Sequence, residues 1–478
     1  MLFSSVSFLF LFLPLCWAAY QPGGPRWKNG VLLVASVLFY SWGEPRFVML
    51  MLLSVAVNYG LARRLHASQN GARRHTLFWA IAFNLGLLAL FKYANFAIEN
   101  LNALLEALGV TPIGYASIKL PIGISFYTFH AISYLVDIYR RNVQPNRSVA
   151  QYALYIMFFP QLVAGPIIRY KDIYDQLPRR HVMPEDLNAG ALRFALGLSK
   201  KVLIANPLGL VADSAFSEPA NSLSPTNAWF GLICYTLQIY FDFSGYSDMA
   251  IGLARLFGFR FPENFNYPYM ARSIQEFWRR WHISLSTWFR DYVYIPLGGN
   301  REGFAATYKN LWTVFLLTGL WHGASWNFVL WGAAHGFFLT FERFAARSAS
   351  GRWQVPAVAR HLYAIFAVML SWVLFRANDL AQARDYLLAL LGHWPPEAWT
   401  LPPYALMSVQ LVSLAMVGAL FALPTYPMIC RTYEKLFETD ASAQWAPLAG
   451  AATVGTLLTL DAMALAVGQY NPFIYFRF

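Results

Sequence analysis

The chain has 478 residues, of which 57% are hydrophobic, 17% aromatic and only 13% charged. A soluble protein carries about 25% charged residues, so this composition excludes an ordinary soluble enzyme and indicates a membrane protein. The formal net charge of +12 does not indicate nucleic-acid binding, because the basic residues cluster in short loops between apolar stretches.

Long apolar stretches recur along the whole chain and predict an all-α fold, a polytopic membrane bundle. Because a helix needs about 20 apolar residues to cross a bilayer, we expect about 11–13 transmembrane helices in a single domain over 1–478. The predicted spans are 2–19, 29–43, 46–62, 76–98, 118–138, 189–214, 227–251, 308–324, 327–345, 357–375, 404–424 and 447–469.

The charges of the loops predict the orientation of these spans. The four arginines of the loop 63–74 mark it as cytoplasmic, whereas the loops 99–116 and 215–226 contain no Lys or Arg and are predicted to be external. This assignment places Arg26 and Lys28 on the cytoplasmic side and both termini outside.

The stretch 148–168 is apolar but is interrupted by Phe-Pro-Gln and Ala-Gly-Pro. A segment broken in this way and flanked by basic residues predicts a re-entrant hairpin. Irregular backbone at membrane depth must be buried in protein or line a cavity, so we expect this segment to be enclosed.

The segment 252–307 is too polar to span a membrane and too aromatic for a free loop. Helical spacing between Ser273 and Tyr294 predicts a basic amphipathic helix at the cytoplasmic interface. Its apolar face would comprise Phe277, Trp281, Leu285 and Trp288. A surface anchor is the simpler interpretation of this helix, and a ligand-binding site is the alternative.

A polar set lies at the inner end of the predicted span 227–251. Its members are Tyr240, Asp242, Ser244, Tyr246, Ser247 and Asp248. A carboxylate inside a membrane costs about 2.5–3.5 kcal/mol on insertion scales, so each needs a partner or a water-filled cavity. We expect the two aspartates to pair with Arg279 or Arg280; the alternative is a polar cavity that orients a histidine or a substrate.

Two histidines in aromatic segments are the strongest candidates for chemistry. His282 lies in Trp-Arg-Arg-Trp-His-Ile-Ser, and His322 lies in Thr-Gly-Leu-Trp-His-Gly-Ala. The residues before His322 are apolar, and a titratable imidazole at bilayer depth indicates a functional site. Gly319 and Gly323 allow close backbone approach beside it. His335, on the next predicted span, is interpreted as a hydrogen-bonded packing histidine.

The chain has no Walker loop, no dinucleotide fingerprint, no zinc-binding His-Glu-x-x-His and no Gly-x-Ser-x-Gly. Two histidines with a polar cavity favour general-base activation of a hydroxyl or thiol. Acyl transfer and proton-coupled transport both fit these residues, and composition and spacing do not separate them.

Several motifs, in order, resemble the membrane-bound O-acyltransferase family and, within it, the bacterial alginate O-acetyltransferase branch. They are Pro121-Ile-Gly-Ile-Ser-Phe-Tyr, Gln161-Leu-Val-Ala-Gly-Pro-Ile, Tyr240-Phe-Asp-Phe-Ser-Gly-Tyr-Ser-Asp-Met-Ala, Phe277-Trp-Arg-Arg-Trp-His282, Tyr292-Val-Tyr-Ile-Pro-Leu-Gly-Gly-Asn300-Arg301, Gly319-Leu-Trp-His322-Gly and Pro472-Phe-Ile-Tyr-Phe. The resemblance covers nearly the whole chain, with a catalytic core at roughly 118–345 by its motifs.

The resemblance implies an enzyme of the bacterial inner membrane that takes an acetyl group from a cytoplasmic thioester and passes it outward to modify a secreted polysaccharide, with alginate favoured. His322 matches the characteristic histidine of the family, and His282 matches the second position, often Asn or His. The expected general base is His322, while His282 orients donor or acceptor or stabilises negative charge. Further residues expected to contact donor or substrate are Arg279, Arg280, Arg290, Asp242, Tyr246, Trp321 and Trp326.

The same resemblance implies acetyl coenzyme A or another acyl thioester as donor substrate, with no bound cofactor and no metal. The expected partners are periplasmic acetyltransferase subunits and membrane lipid, and no nucleic acid. Two alternatives stay open: acylation of another envelope polymer, such as cellulose, peptidoglycan or D-alanylated teichoic acid, and a proton-coupled exporter.

Overall fold

The computed structural model describes residues 1–348, 355–436, 445–468 and 470–472. All regular elements in these ranges are helices. Contacts divide the chain into two compact units, the first comprising 1–187 with 253–262 and the second comprising 188–252 with 263–478. The predicted single membrane domain stays a prediction.

The first half of the chain forms helices separated by short turns. They are Phe8–Phe12, Leu13–Tyr20, Pro25–Gly43, Val48–Ala67, Asn70–Leu88, Ala89–Tyr93, Ala94–Ala107, Ile124–Tyr139, Val149–Met157, Phe159–Leu162, Tyr170–Ile173, Tyr174–Gln176, Pro184–Ser199, Lys200–Ala205, Asn206–Ser217, Ala220–Ser222 and Pro225–Leu256. Three of these are π-helical segments next to an α-helix: Phe8–Phe12, Ala89–Tyr93 and Lys200–Ala205.

The second half contains the short helices of the predicted interfacial segment and then longer ones. They are Pro268–Met270, Ile274–Arg280, Ile283–Phe289, Arg290–Tyr294, Phe304–His322, Trp326–Ser348, Ala357–Arg376, Leu380–Leu390, Pro396–Ala398, Val409–Phe421, Thr425–Leu436 and Ala446–Val467.

A helix lies at each of the predicted spans, apart from residue 469, which is outside the described residues. Five described stretches are long and apolar enough to cross a membrane: Val48–Ala67, Asn70–Ala107, Pro184–Ser217, Ala357–Arg376 and Pro447–Val467. The pair Val409–Phe421 and Thr425–Tyr433, bent by 71°, makes a sixth if it counts as one span. The polytopic helical class is therefore confirmed, while the number of about 11–13 spans stays a prediction.

The apolar stretch 148–168 is broken as expected. The Ser148 side chain accepts a hydrogen bond from the Gln151 amide and starts the helix Val149–Met157, which ends at Phe158. The turn Phe159–Leu162 follows, and the backbone is then irregular up to Arg169. Every residue from 152 to 168 is buried, so the irregular part lies inside the protein, as the re-entrant interpretation requires.

Two glycines allow the helices Phe304–His322 and Trp326–Ser348 to pack with their backbones in contact. A Cβ atom on Gly319 would overlap the Phe328 carbonyl, and one on Gly332 would overlap the Phe315 carbonyl. This close crossing is typical of membrane helices, where small residues let two backbones approach. It brings Trp331, which is fully buried, toward the end of the first helix of the pair.

We expect Gly319→Ala to destabilise the protein by about 1–3 kcal/mol, because the added methyl group overpacks this crossing. The thermal unfolding midpoint of the purified protein in detergent measures the effect. Gly455→Ala is the matched control: it lies on the helix Ala446–Val467, and the added Cβ would meet no described atom within 4 Å apart from the nearby backbone of its own helix. Equal midpoints for the two variants would contradict the close crossing.

Candidate active site

His282 lies at a break between two short helices. The helix Ile274–Arg280 ends at Trp281, which is extended, and the helix Ile283–Phe289 begins directly after His282. His282 has a left-handed backbone, with φ 43° and ψ 54°. The prediction of one continuous helix from Ser273 to Tyr294 is therefore wrong.

The apolar face predicted for that helix is nevertheless buried. The exposed fractions are 1% for Phe277, 3% for Trp281, 1% for Leu285 and 4% for Trp288. Aromatic neighbours surround Trp281, with ring centroids at 5.1 Å for both Phe265 and Trp372. The segment is thus part of the protein core and is not a simple surface anchor.

Asn264 holds the break in place. Its backbone carbonyl oxygen accepts a hydrogen bond from the Ile283 amide at 2.9 Å, and the Asn266 amide donates to the Arg280 carbonyl at 2.9 Å. Because these bonds lie on both sides of the break, they fix the chain direction on entry to and exit from His282. A non-glycine residue in the left-handed region is uncommon, and such residues cluster at functional sites.

The side chain of Asn264 also decides the tautomer of His282. Its Oδ1 accepts from the Ser284 amide at 3.3 Å and the Ser284 hydroxyl at 2.8 Å, which identifies this atom as the oxygen. His282 Nδ1 lies 3.1 Å from the same oxygen, so Nδ1 carries the proton and donates it. Nδ2 of Asn264 donates to Ser247 Oγ at 3.0 Å.

The other nitrogen of His282 is therefore a lone-pair acceptor. Nε2 is buried and has no hydrogen-bond partner among the described residues. The Phe243 ring meets the imidazole edge-on at 4.7 Å. Burial lowers the pKa of His282 to about 3, so the ring is neutral near pH 7.

His322 is the last residue of the helix Phe304–His322 and is only 5% exposed. Gly323 follows in an extended conformation and ends the helix. Aromatic rings surround the imidazole, with centroids at 4.8 Å for Trp321, 5.0 Å for Trp331 and 5.1 Å for Phe375.

Trp321 contacts both predicted catalytic histidines. Its ring centroid lies 4.8 Å from that of His322 and 6.1 Å from that of His282. The residue is 5% exposed. The structure thus brings together two histidines forty positions apart in sequence, on one aromatic ring inside the protein.

His335 packs against the histidine cluster, which comprises His282, Trp321, His322 and Trp331. It is hydrogen-bonded, as predicted. The Trp278 indole donates to its Nδ1 at 3.2 Å, so Nε2 carries the proton and donates to the Ser371 hydroxyl at 3.2 Å. Ser371 in turn donates to the Val368 carbonyl at 2.7 Å. The ring lies 4.8 Å from Trp331, which contacts His322. Both ring nitrogens of His335 are hydrogen-bonded to protein side chains, so this residue packs against Trp331 and positions its ring.

The arginines predicted to meet the donor lie outside the buried cluster. Arg279 is exposed, Arg280 pairs with Glu276 at 2.8 Å, and Arg290 pairs with Asp291 at 2.8 Å. Trp326 is 53% exposed at the start of its helix. By contrast, Tyr246 is 2% exposed within the helix Pro225–Leu256.

The partners predicted for the two aspartates are wrong. Asp242 pairs with Lys201 at 2.6 Å, and Asp248 pairs with Arg193 at 2.7 Å and Lys200 at 2.6 Å. These three bases lie in the stretch Pro184–Ala205, which packs against the helix Pro225–Leu256 that carries both aspartates. At this contact Gly197 faces the Gly245 carbonyl, and neither residue has a Cβ atom. The aspartates are paired, as expected, but not with Arg279 or Arg280.

The ion pair of Asp242 and Lys201 is the most buried in the described part of the chain. The side-chain exposures are 1% and 4%, and Lys201 Nζ also donates to the Pro472 carbonyl. Pro472 is the only described residue of the motif at 472–476. Lys201 lies in a π-helical segment, a distortion often found at functional sites.

Sequence reasoning missed Asn264, Lys201 and Ser371. Each of them contacts a predicted residue that is distant in the sequence. A local pattern that could have identified Asn264 is weak: it is a buried amide in the short stretch Glu-Asn-Phe-Asn.

The chain is similar in sequence to known proteins. The sequence profile of the membrane-bound O-acyltransferase family, MBOAT, matches residues 4–377. The probable alginate O-acetylase AlgI of Pseudomonas putida is 39% identical over 491 residues, covering 100% of each chain. The probable alginate O-acetylase AlgI of Azotobacter vinelandii is 45% identical over 428 residues, covering 88% of this chain and 83% of the relative. The peptidoglycan O-acetyltransferase of Helicobacter pylori is 32% identical over 522 residues, covering 100% of this chain and 98% of the relative.

The chain therefore belongs to the membrane-bound O-acyltransferase family. It is an O-acyltransferase that crosses the membrane several times, and the resemblance found from its motifs is confirmed.

The buried pair makes Asp242→Asn a sensitive substitution. Removing one partner leaves the Lys201 charge uncompensated, so we expect a loss of roughly 3–5 kcal/mol in the free energy of unfolding. The double variant Asp242→Asn/Lys201→Met removes both charges and should recover part of the loss. Thermal unfolding in detergent measures both, and a single variant as stable as wild type would contradict the pairing.

Burial of His282 predicts that acid destabilises the protein. Its pKa is about 3 in the folded protein and has the ordinary value of 6.5 in the unfolded chain, so below pH 6.5 the unfolded chain binds a proton that the folded protein does not. Stability should fall as the pH decreases from about 6.5, by at most about 1.4 kcal/mol per pH unit. Unfolding midpoints between about pH 7 and about pH 5 should fall less steeply for His282→Asn than for wild type. Parallel slopes would contradict the assignment.

Proposed function

We propose that this chain is the membrane subunit of a bacterial inner-membrane system that O-acetylates a secreted polysaccharide, with alginate as the favoured polymer. It would take the acetyl group from a cytoplasmic thioester, acetyl coenzyme A or another acyl thioester, and pass it to an external acceptor. The observation that carries this proposal is the pair of buried imidazoles on Trp321, inside the region that matches the acyltransferase family. The names of two relatives, both probable alginate O-acetylases, support the polymer.

The reaction divides between the two histidines according to their surroundings. His322 takes the proton of the acceptor hydroxyl, whose oxygen attacks the thioester carbonyl. The carbon–sulfur bond then breaks, and the thiolate leaves with the proton returned by the imidazolium. General-base catalysis of this kind contributes roughly 10²–10⁴-fold in rate and works best with a pKa near the operating pH.

His282 is suited to positioning. Because its Nδ1 proton is donated to Asn264, Nε2 offers only a lone pair. It would accept a hydrogen bond from the acceptor hydroxyl or from an N–H of the donor. A neutral ring with this tautomer does not stabilise an oxyanion, so of the two predicted roles the orienting one is favoured. The low pKa of His282 also makes it a poor proton acceptor.

For the donor, Arg279 is the strongest of the three predicted arginines. Its side chain is exposed and forms no ion pair with a described residue, whereas Arg280 and Arg290 are each paired with a carboxylate. A free guanidinium matches a phosphate with two parallel hydrogen bonds. Arg279 would therefore contact a phosphate of coenzyme A.

The partners we propose are periplasmic acetyltransferase subunits that receive the acetyl group and transfer it to the polymer. Peptidoglycan is the second candidate polymer, because the relative named for it covers 100% of this chain at 32% identity. The comparison of acetyl content in alginate and peptidoglycan from a deletion strain separates these two polymers. Intact solute transport has no support from the relatives, which are named as acetylases and transferases.

The decisive experiment uses the protein in liposomes with radiolabelled acetyl coenzyme A on its cytoplasmic face, with and without the periplasmic partner. We expect His322→Ala to reduce thioester cleavage by roughly 10²–10⁴-fold. His282→Asn keeps a hydrogen-bonding side chain and should lose about tenfold, with the pH profile unchanged. His393→Ala, at an exposed position, is the matched control and should retain the wild-type rate.

Cleavage by His322→Ala at the wild-type rate would refute the assignment of the base. No cleavage by wild type with any thioester would refute the proposed donor.

A further inference from the structure

A basic cavity in the first unit is lined by none of the residues of the histidine cluster. It has a volume of about 340 Å³ and lies where the helix Leu13–Tyr20 ends and the helix Pro25–Gly43 begins. Its lining comprises Tyr20, Gln21, Lys28, Arg180, His181, Val182, Met183 and Leu187. Three of these side chains are basic and none is acidic, so the cavity is suited to an anion.

Two of the three guanidinium nitrogens of Arg180 donate hydrogen bonds to described residues, and the third does not. Nε donates to the Phe257 carbonyl at 2.8 Å and Nη1 donates to Asn29 Oδ1 at 2.5 Å. Nη2 is buried and has no hydrogen-bond partner among the described residues. A buried donor without an acceptor costs about 1–3 kcal/mol, more when it is charged, so an anion near this guanidinium would be stabilised.

The positions around Arg180 strengthen this implication. A Cβ on Gly258 would lie 3.3 Å from Arg180 Cγ, so the glycine leaves room for the arginine stem. Lys28 Nζ lies 4.9 Å from the centre of the Tyr20 ring and forms no ion pair with a described residue. Burial lowers the pKa of Arg180 below its ordinary value, because it disfavours the charged form.

Two neighbouring arginines, unlike Arg180, form ion pairs with a carboxylate. Arg255 and Arg260 both pair with Asp186, at 3.1 Å and 3.3 Å. The buried carboxylate of this region is thus already shared by two bases outside the cavity. The charges of Lys28 and Arg180 are left for a ligand.

We propose that this cavity binds a phosphate group at the membrane surface predicted to be cytoplasmic. Arg180 would donate hydrogen bonds to phosphate oxygens, with Lys28 as the second cation and His181 as a further polar group of the lining. Phosphate binding here is independent of the proposed acyl transfer. The phosphate can come from a phospholipid head group or from a soluble phosphate compound.

The surroundings of the cavity resemble a membrane interface. Trp27 is 55% exposed while its indole donates to the Ala19 carbonyl at 2.9 Å, and Met183 is 54% exposed. Tryptophan is enriched at the boundary between hydrocarbon and head groups, and basic residues near it attract anionic lipids.

The test compares wild type with Lys28→Gln/His181→Gln, neither of whose side chains hydrogen-bonds a described residue. Arg179→Gln, an exposed neighbour outside the lining, is the matched control. In one arm, native mass spectrometry measures phosphatidylglycerol retained by the full-length protein. In the other arm, protein in phosphatidylcholine nanodiscs is titrated with inorganic phosphate and with coenzyme A.

We expect the double variant to bind about tenfold more weakly than both wild type and the control. The effect in the first arm would identify a phospholipid head group, and the effect in the second a soluble phosphate. Arg180→Gln should show the same loss, with its thermal unfolding midpoint recorded alongside to detect misfolding. Equal binding by the double variant and Arg179→Gln, or no binding to wild type in either arm, would overturn the proposal.

Discussion

The hydrogen bonds of Asn264 are the constraint on which the histidine cluster depends. Its backbone oxygen accepts from Ile283, and its side-chain oxygen accepts from both Ser284 and His282. One residue therefore holds the helix break, fixes the left-handed backbone of His282 and selects its tautomer. Without these bonds, the segment would be free to continue as the helix that its apolar spacing favours, and the His282 ring would not be fixed beside Trp321.

The side chains that surround the two histidines are almost all aromatic. Trp331 contacts both His322 and His335, and His335 is bonded on both ring nitrogens. The glycine crossing at Gly319 and Gly332 is what lets the two helices bring these rings together. An aromatic lining would disfavour water and so protect a thioester from hydrolysis in the reaction we propose.

Two buried aspartates are neutralised by ion pairs, whereas Arg180 forms no ion pair with a described residue. Asp242 and Asp248 are both compensated by bases from a packed neighbour, because a lone carboxylate at such burial would be costly. The guanidinium of Arg180 is instead bonded to neutral groups and keeps one nitrogen without a described partner. This contrast separates ion pairs that hold helices together from a cation that is available to a ligand.

The amino-acid sequence by itself determined the class of the protein, the positions of its long apolar helices, the candidate histidines and the family, because hydropathy, loop charge and motifs are local properties. It did not determine the break at His282, since the apolar spacing of that segment is equally compatible with one long helix. Nor did it determine that Lys201 pairs with Asp242, or that Asn264 bonds His282. Only the tertiary structure decided those partners, because ion pairs and hydrogen bonds between distant residues depend on which helix faces meet when the chain packs.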